Sequence, residues 1–309
     1  MARKERKKIL AYAVESSYGT DAVSGNTPKY LLGREFSITP MAGDSQSLDY
    51  DDGTLGNSPE IVTELYVTIE FTVDFAASSA AATPAPWGEL MNACLRKTTT
   101  HTKTGGDPVD ENLYELDEAG TGSITFYYYQ DGNLHKITGA RGSLSFSAQA
   151  KNFGGIKFTF SGLHQPVTGV VLPTPDFTPW QTPLKVGVQN SAFTLGGKAL
   201  KLISLEYDQA NQVVYQEYVG HEEVLITDYQ PTCTIVIEAP PKTDYDPFAL
   251  AVAGTEQALV FTNGSAGNQV EWKSTRVQLG RPTYGDQDGT LTYSIPLTII
   301  SNKDTFATR

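Results

Sequence analysis

The sequence predicts a mainly β fold made of two tandem copies of one β-sandwich or barrel unit, each with one short flanking α-helix. Three observations carry this prediction: a long strict alternation of apolar and polar residues, a self-similarity between the two halves, and scarce helical signals. In residues 63–75, Leu65, Val67, Ile69, Phe71, Val73 and Phe75 point one way. Glu64, Tyr66, Thr68, Glu70, Thr72 and Asp74 point the other. Period two over such a length describes a strand with one buried and one wet face.

The remaining elements follow in chain order. Met1–Lys8 reads MARKERKK, and Glu15 ends the apolar stretch that follows after about six residues, short of the 7–15 a secretory signal needs. The expectation is a solvated basic arm, 1–11, on a chain made and kept in a cytoplasm. Pro86–Leu95 predicts a short helix, with proline where a helix can begin. Ser123–Tyr129, Ser143–Ala150 and Ile156–Ser161 are rich in aromatic and β-branched residues and predict strands. Residues 166–183 hold Pro166, Pro173, Pro175, Pro179 and Pro183, a density that suits an extended linker.

The repeat gives the boundaries. Shifted by 164, positions 31–76 align without a gap on 195–240, matching Leu31, Gly33, Asp44, Gly56, Thr63 and Thr68 to Leu195, Gly197, Asp208, Gly220, Thr227 and Thr232. The buried face Ile69, Phe71, Val73 meets Cys233, Ile235, Ile237, and the helix finds a counterpart in Pro247–Val252. At a shift of 135, positions 132–160 align on 267–295, including Arg141 on Arg276 and Leu144 on Leu279. The predicted units are 1–165, with a long loop at 41–59 and an insertion at 97–122, and 184–309, joined by the linker 166–183.

Composition narrows the function classes. The chain has 309 residues and a formal net charge of −12. Fourteen basic and 20 acidic residues lie up to Gly169, with 9 and 15 beyond it, so each half carries −6. That balance argues against gripping nucleic acid by its phosphates. No apolar run approaches the roughly 18 residues of a membrane helix, and no membrane partner is expected. Two cysteines make no disulfide framework.

No catalytic constellation emerges. His101, His135, His164 and His221 lack metal-ligand spacing, and GxSxG, P-loop and GxGxxG patterns are missing. Cys233 falls on the buried face of a strand and reads as a core thiol. The acidic loop containing Asp44, Asp49, Asp51 and Asp52 fails the calcium-loop register. Tyr127, Tyr128 and Tyr129 read as a packed strand, since no basic groove accompanies them. No enzyme, cofactor or metal is expected.

The segment Ala11-Tyr12-Ala13-Val14-Glu15-Ser16-Ser17-Tyr18-Gly19-Thr20 resembles the A-x-x-x-E-T-T-Y-G-T opening of major tail tube proteins of long-tailed bacteriophages. Lys157–Leu163, KFTFSGL, is similar to their closing strand, and the layout of long strands, extended loop and flanking helix is also like theirs. The resemblance implies a structural virion protein that stacks as rings into a hollow tail tube conducting DNA to the host. A single-unit subunit needs six copies per ring; a duplicated one would need three, with pseudo-sixfold symmetry and a formal −36, three times −12.

On that reading Glu64, Thr68, Glu70, Asp74, Asp228, Thr232 and Glu238 are expected to line the lumen, whose negative sign lets DNA slide without specific binding. Arg3, Lys4, Arg6, Lys7 and Lys8 are expected to meet Asp44, Asp49, Asp51 and Asp52 between rings, with the tail from Asn302 to Arg309 as a further contact. Partners implied are the chain itself and tape-measure, tail terminator and tail-tip or baseplate proteins. The implied location is the virion tail, after the host cytoplasm. A tailocin or secretion-system tube shares these features. A two-domain β binding module or adhesin is the alternative of another class; it would need a patch of exposed aromatics, whereas Trp87, Trp180 and Trp272 are scattered.

Overall fold

The computed structural model describes residues 3–51, 53, 55–106, 109–300 and 304–309. Antiparallel strands dominate. The first half holds β1 (Lys8–Val14), β2 (Lys29–Leu31), β3 (Gly33–Ala42), β4 (Ser45–Ser47), β5 (Glu60–Val62), β6 (Tyr66–Asp74), helix α1 (Gly88–Asn92), β7 (Arg96–His101), β8 (Glu111–Leu116), β9 (Ile124–Gln130), β10 (Asn133–Gln149) and β11 (Gly155–His164). After β12 (Thr168–Gly169) come β13 (Ser191–Leu195), β14 (Lys198–Ala199), β15 (Leu202–Asp208), β16 (Asn211–Tyr218), β17 (His221–Tyr229) and β18 (Thr232–Glu238). Helix α2 (Pro247–Ala253), β19 (Glu256–Ser265), β20 (Asn268–Leu279), β21 (Thr283–Gln287), β22 (Thr290–Ile299) and β23 (Asp304–Thr308) complete the chain.

The alternation at 63–75 does form a strand, β6, but it begins at Tyr66. Glu64 and Leu65 precede it, because the amides of Thr63 and Glu64 turn back to the Asp44 carbonyl at 2.9 and 3.2 Å. Tyr127, Tyr128 and Tyr129 are buried on β9, and Cys233 is buried on β18. Asp246 caps α2 by accepting the Ala249 amide at 3.0 Å, and Gly254 ends it in the left-handed region.

The strands of the first half pair in the order β2–β1–β9–β10–β11–β6–β3. Those of the second pair in the order β14–β13–β19–β20–β22–β18–β15. The same chain order of elements therefore gives the same pairing order twice. The ungapped match of the sequences does not extend through both loops. Ser37 pairs with Glu70, 33 residues on, and Glu206 with Thr234, 28 residues on, so the second loop is five residues shorter. Leu31 and Leu195, matched without a gap, accordingly lie on β2 and β13, which hold different places in the order.

One sheet runs through both halves. β10 serves four neighbours: β12 at Asn133–Leu134, β9 through Asn133–Ala140, β11 through Ile137–Ser147, and β15 through Ser145–Gln149. A bulge between Thr138 and Arg141 bends the strand from one partner to the next. Gly139 makes the bend feasible: its φ is +61°, and a Cβ there would lie 2.7 Å from the Tyr18 ring. Proline positions agree with the ladder. Pro40 sits on β3, an edge strand. Pro296 of β22 stands opposite the break between β20 and β21, where a missing N–H costs nothing in pairing.

One large hydrophobic core runs through both halves, and a smaller cluster of Ala11, Val23, Tyr127, Tyr129 and Leu134 lies apart from it. Phe146, at the shared end of β10, meets Phe75 at 5.5 Å, Tyr207 at 5.7 Å, Trp272 at 5.3 Å and Phe306 at 5.4 Å between ring centroids. Arg96 of β7 is fully buried among them. Its Nε donates to Gln209 at 2.7 Å, and its other nitrogens donate to Tyr207 at 2.8 Å and to Asp304 of β23. Burial opposes the guanidinium charge, but the Asp304 carboxylate and Tyr207 hydroxyl outweigh it and hold Arg96 protonated above its ordinary range. Residues 301–303 lie outside the described residues, but the C-terminal segment beyond them is strand β23, inserted between β20 and β8.

Replacing Arg96 by Met leaves the Asp304 carboxylate buried without its charge partner and lowers stability by about 3–5 kcal/mol. Replacing Asp304 by Leu in the same chain recovers much of the loss. Denaturant unfolding of the single and double variants checks both; equal losses would show that the pair is not coupled.

Candidate assembly surfaces

Seven strands, β3–β6–β11–β10–β15–β18–β22, form one continuous ladder across the two halves. One side carries the apolar residues of the core. The other carries a polar face set by alternation. Thr72, Lys157, Ser145, Asp208, Thr232 and Thr298 lie on one rung across it. Thr68, Glu70, Asp74, Thr232 and Glu238, predicted from sequence to act together, share this face. Glu64 and Asp228 do not: Glu64 sits before β6, and Asp228 lies on β17, outside the ladder.

Ion pairs change the electrostatics of the face. Lys157 meets Glu70 at 2.9 Å, Arg34 meets Asp74 at 3.1 Å, and Lys201 meets Glu238 at 2.6 Å. Three of the expected acidic groups are thus balanced locally. Glu206 and Asp208 on β15 add two exposed carboxylates that sequence reasoning missed. The signal was present, since Ser204, Glu206 and Asp208 alternate with the buried Leu205 and Tyr207. A shallow concavity at the centre of the face is lined by Arg34, Lys157, Ser145, Glu206, Asp208 and Thr232.

Each half also projects a two-stranded arm between the two strands at its edge. In the second half β16 and β17 lie across β10 and β11 of the first. Tyr215 stacks on Tyr66 with centroids 5.2 Å apart. The Val224 amide donates to the Tyr18 hydroxyl at 2.6 Å, and Arg141 donates to the Val224 carbonyl at 2.8 Å. In the first half, β4 in the loop expected at 41–59 pairs with β5 just beyond it, so the loop reaches past its expected end and is a hairpin arm. Tyr50, Leu55, Ile61 and Val62 of this arm are exposed, Ile61 to 53%, as is Met41 near the end of β3.

The basic N-terminal segment is tied down. The Lys4 amide donates to Asp131 at 2.5 Å, Lys7 approaches the same carboxylate at 3.8 Å, and Lys8 belongs to β1 and pairs with Glu5. Arg3 and Arg6 are exposed beside them. In the acidic loop, Asp49 accepts from the Ser47 hydroxyl at 2.6 Å and Asp51 is exposed, while Asp52 lies outside the described residues.

The registers set where these segments leave the ladder. Lys8 pairs with Gln130, and Gln130 with Asn133 at the start of β10. Ala42 pairs with Tyr66, Tyr66 with Leu163, and Leu163 with Thr138. Both the basic segment and the acidic loop therefore depart from the same end. Within one chain the two segments stand at one end of the ladder, and their expected charge pairing between rings concerns contacts between copies. Of the tail expected from Asn302 to Arg309 as a ring contact, Asn302 lies outside the described residues, and Asp304–Thr308 is corrected to a nearly fully buried strand.

Among the described residues no cluster of three His, Cys, Asp or Glu side chains is placed to hold a metal ion. Cys94 and Cys233 are buried free thiols, and burial pushes both well above the ordinary thiol range. No helix is long and apolar enough to cross a membrane. The described surface offers strand edges, arms and a polar sheet face. Comparison with protein families matches residues 6–299 to the phage tail tube protein family. The chain belongs to that family. Among curated proteins none matches it. Membership gives the tail tube protein a structural role in the virion tail.

Replacing Tyr215 by Ala removes an aromatic contact of about 0.5–1.5 kcal/mol from the docked arm. Amide exchange across 211–229 is expected to accelerate while the core strands β6, β10 and β18 stay protected. Unchanged exchange in the arm would show that Tyr66 does not anchor it.

Proposed function

We propose that three copies of this tail tube protein close a ring and that rings stack into a hollow tube through which double-stranded DNA passes. The observation that carries this reading is the recurrence of one pairing order in both halves. Read as a duplication into units 1–165 and 184–309, it gives each chain two tube-type units, and three chains supply six. Contacts between unlike surfaces, repeated around a closed rotation, generate a ring, and the same kind of contact along the axis generates a filament.

The polar face of the ladder suits a lumen. Its carboxylates at Glu70, Asp74 and Glu238 are matched by Lys157, Arg34 and Lys201, leaving Glu206 and Asp208 to give a mild negative excess. DNA carries a negative charge about every 1.7 Å of axis and binds where cations are offered without counterparts. A face whose cations are already paired offers no such grip. The chain's partners are then further copies of itself, a tape-measure protein, a tail terminator and tip or baseplate proteins, met after synthesis in the host cytoplasm.

End-on class averages from negative-stain microscopy of concentrated protein test the ring. Hollow rings of three chains are expected; six chains per ring would overturn the duplicated reading, and compact single chains at every concentration would overturn self-assembly. A second outcome tests the lumen. Tubes carrying Glu206→Lys and Asp208→Lys are expected to assemble normally but retain double-stranded DNA at low salt and release it as salt rises. Equal behaviour of variant and parent tubes would place this face outside the lumen.

A further inference from the structure

We infer that the unpaired edge of β21 in one copy adds, antiparallel, to the unpaired edge of β3 in the next, with Thr283 opposite Thr39. This rests on the ring reading above and names the contact that closes it. The argument starts from the junction already formed inside the chain, where the end of β10 pairs with β15: Ser145 with Asp208, Phe146 with Tyr207, Ser147 with Glu206. In the repeated pairing order β3 stands where β15 stands, each outermost beyond β6 or β18. β21 stands where the end of β10 stands, each pairing along the side of β22 or β11 away from β18 or β6. Within the chain β21 pairs with β22 and β3 with β6, so each keeps one side free among the described pairings. The internal junction thus has both of its half-surfaces present a second time, at opposite ends of the ladder.

The register follows from the rungs. Taking Glu70 of β6 as the counterpart of Thr234 of β18 makes Ser37 the counterpart of Glu206. Following Glu70 to Thr159 and Ser143, and Thr234 to Pro296 on β22, carries Ser147 onto Gly285. The internal rungs then transfer as Thr283 opposite Thr39, Tyr284 opposite Ile38, and Gly285 opposite Ser37. The faces agree. Ile38 packs on the core, and Tyr284, 67% exposed in the single chain, stands beside the core-packed Tyr293 at 5.5 Å. Thr39 and Ser37 fall on the polar side with Thr283 and Gly285. Pro40 ends the stretch of β3 able to donate, so the added pairing is short.

The arms give independent support. At the internal junction the arm that follows β15 crosses onto β10 and β11, burying Val224 beneath Tyr18 and Arg141. The arm that follows β3 occupies the corresponding place and carries exposed Leu55, Ile61 and Val62. A second copy joined at β21 brings its β20 and β22 under that arm, as β10 and β11 lie under the docked one. An exposed edge and an exposed apolar arm side by side are liabilities for a solitary chain and are both covered by one neighbour.

The test uses the full-length chain with Thr39→Cys and Thr283→Cys together, oxidised under conditions that give rings by microscopy. Both native cysteines are buried and do not compete. Opposed residues on antiparallel strands lie within disulfide reach. Linked species of two and three chains on a non-reducing gel, lost on reduction, are expected. A mixture of the two single variants is expected to stop at two chains, which places the link between copies. Linkage instead by Thr39→Cys with Gln287→Cys would overturn the register. Rings without either link would overturn the pairing while leaving the ring reading intact. Folded chains, judged by circular dichroism, that give neither rings nor links would overturn both.

Discussion

The buried guanidinium of Arg96 is the constraint on which much of this structure depends. It comes from β7 of the first half and is held by Gln209 and Tyr207 of the second and by Asp304 of the final strand. A charge in a core is tolerable only when paired and hydrogen-bonded. Here the Tyr207 hydroxyl also donates to Asp304 at 2.7 Å, and the Arg96 guanidinium lies 4.9 Å from the Phe306 ring centroid. The three segments must therefore arrive together, because any one missing leaves a charge or a donor stranded in apolar surroundings. Beside this network, Phe146 and Trp272 close the same core from β10 and β20. The two halves behave as one packed body, even though their strand order reads as two units.

That fusion explains which features were legible in the sequence. Alternation on β6, the buried Tyr127–Tyr129 run, the core position of Cys233 and both helices follow from local period and composition. Arg96 carries no local signal: its side-chain partners lie 111 to 208 residues away, and an arginine beside Lys97 reads as a surface cation. The bend of β10 was equally hidden, since one glycine at Gly139 does the work of switching partners. Asp228 misled for a different reason. Its segment alternates like a sheet strand, but β17 belongs to an arm whose pairing is with β16 and not with the ladder.

Charge shows the same gap between composition and arrangement. A net −12 spread evenly over two halves implies an acidic surface throughout. On the ladder face, however, cross-strand neighbours pair off: Glu70 with Lys157 on adjacent strands, and Asp74 with Arg34 near the edge. Such half-exposed pairs contribute little to stability, roughly 0–1 kcal/mol each. Their larger consequence is to remove free cations from the face. On the proposed lumen reading, the pairing of these cations matters more than the total negative charge, because counterion release needs an unpaired cation to trade places with.

The proposed two-unit reading has a further consequence for assembly. The junction between β10 and β15 forms within one molecule, so its strand addition and arm docking are independent of concentration and are built as the core closes. A ring of single-unit subunits needs six encounters between separate molecules; a ring of two-unit chains needs three, and each encounter works on surfaces already shaped like the finished junction. Linking converts half of the binding events into intramolecular ones at high effective concentration. The free edges of β3 and β21 stay short, five residues on β21, and Pro40 limits what β3 can add. Short edges resist indiscriminate pairing while still matching one partner in one register. In the proposed ring the junction within the chain serves as the pattern for the junctions between chains.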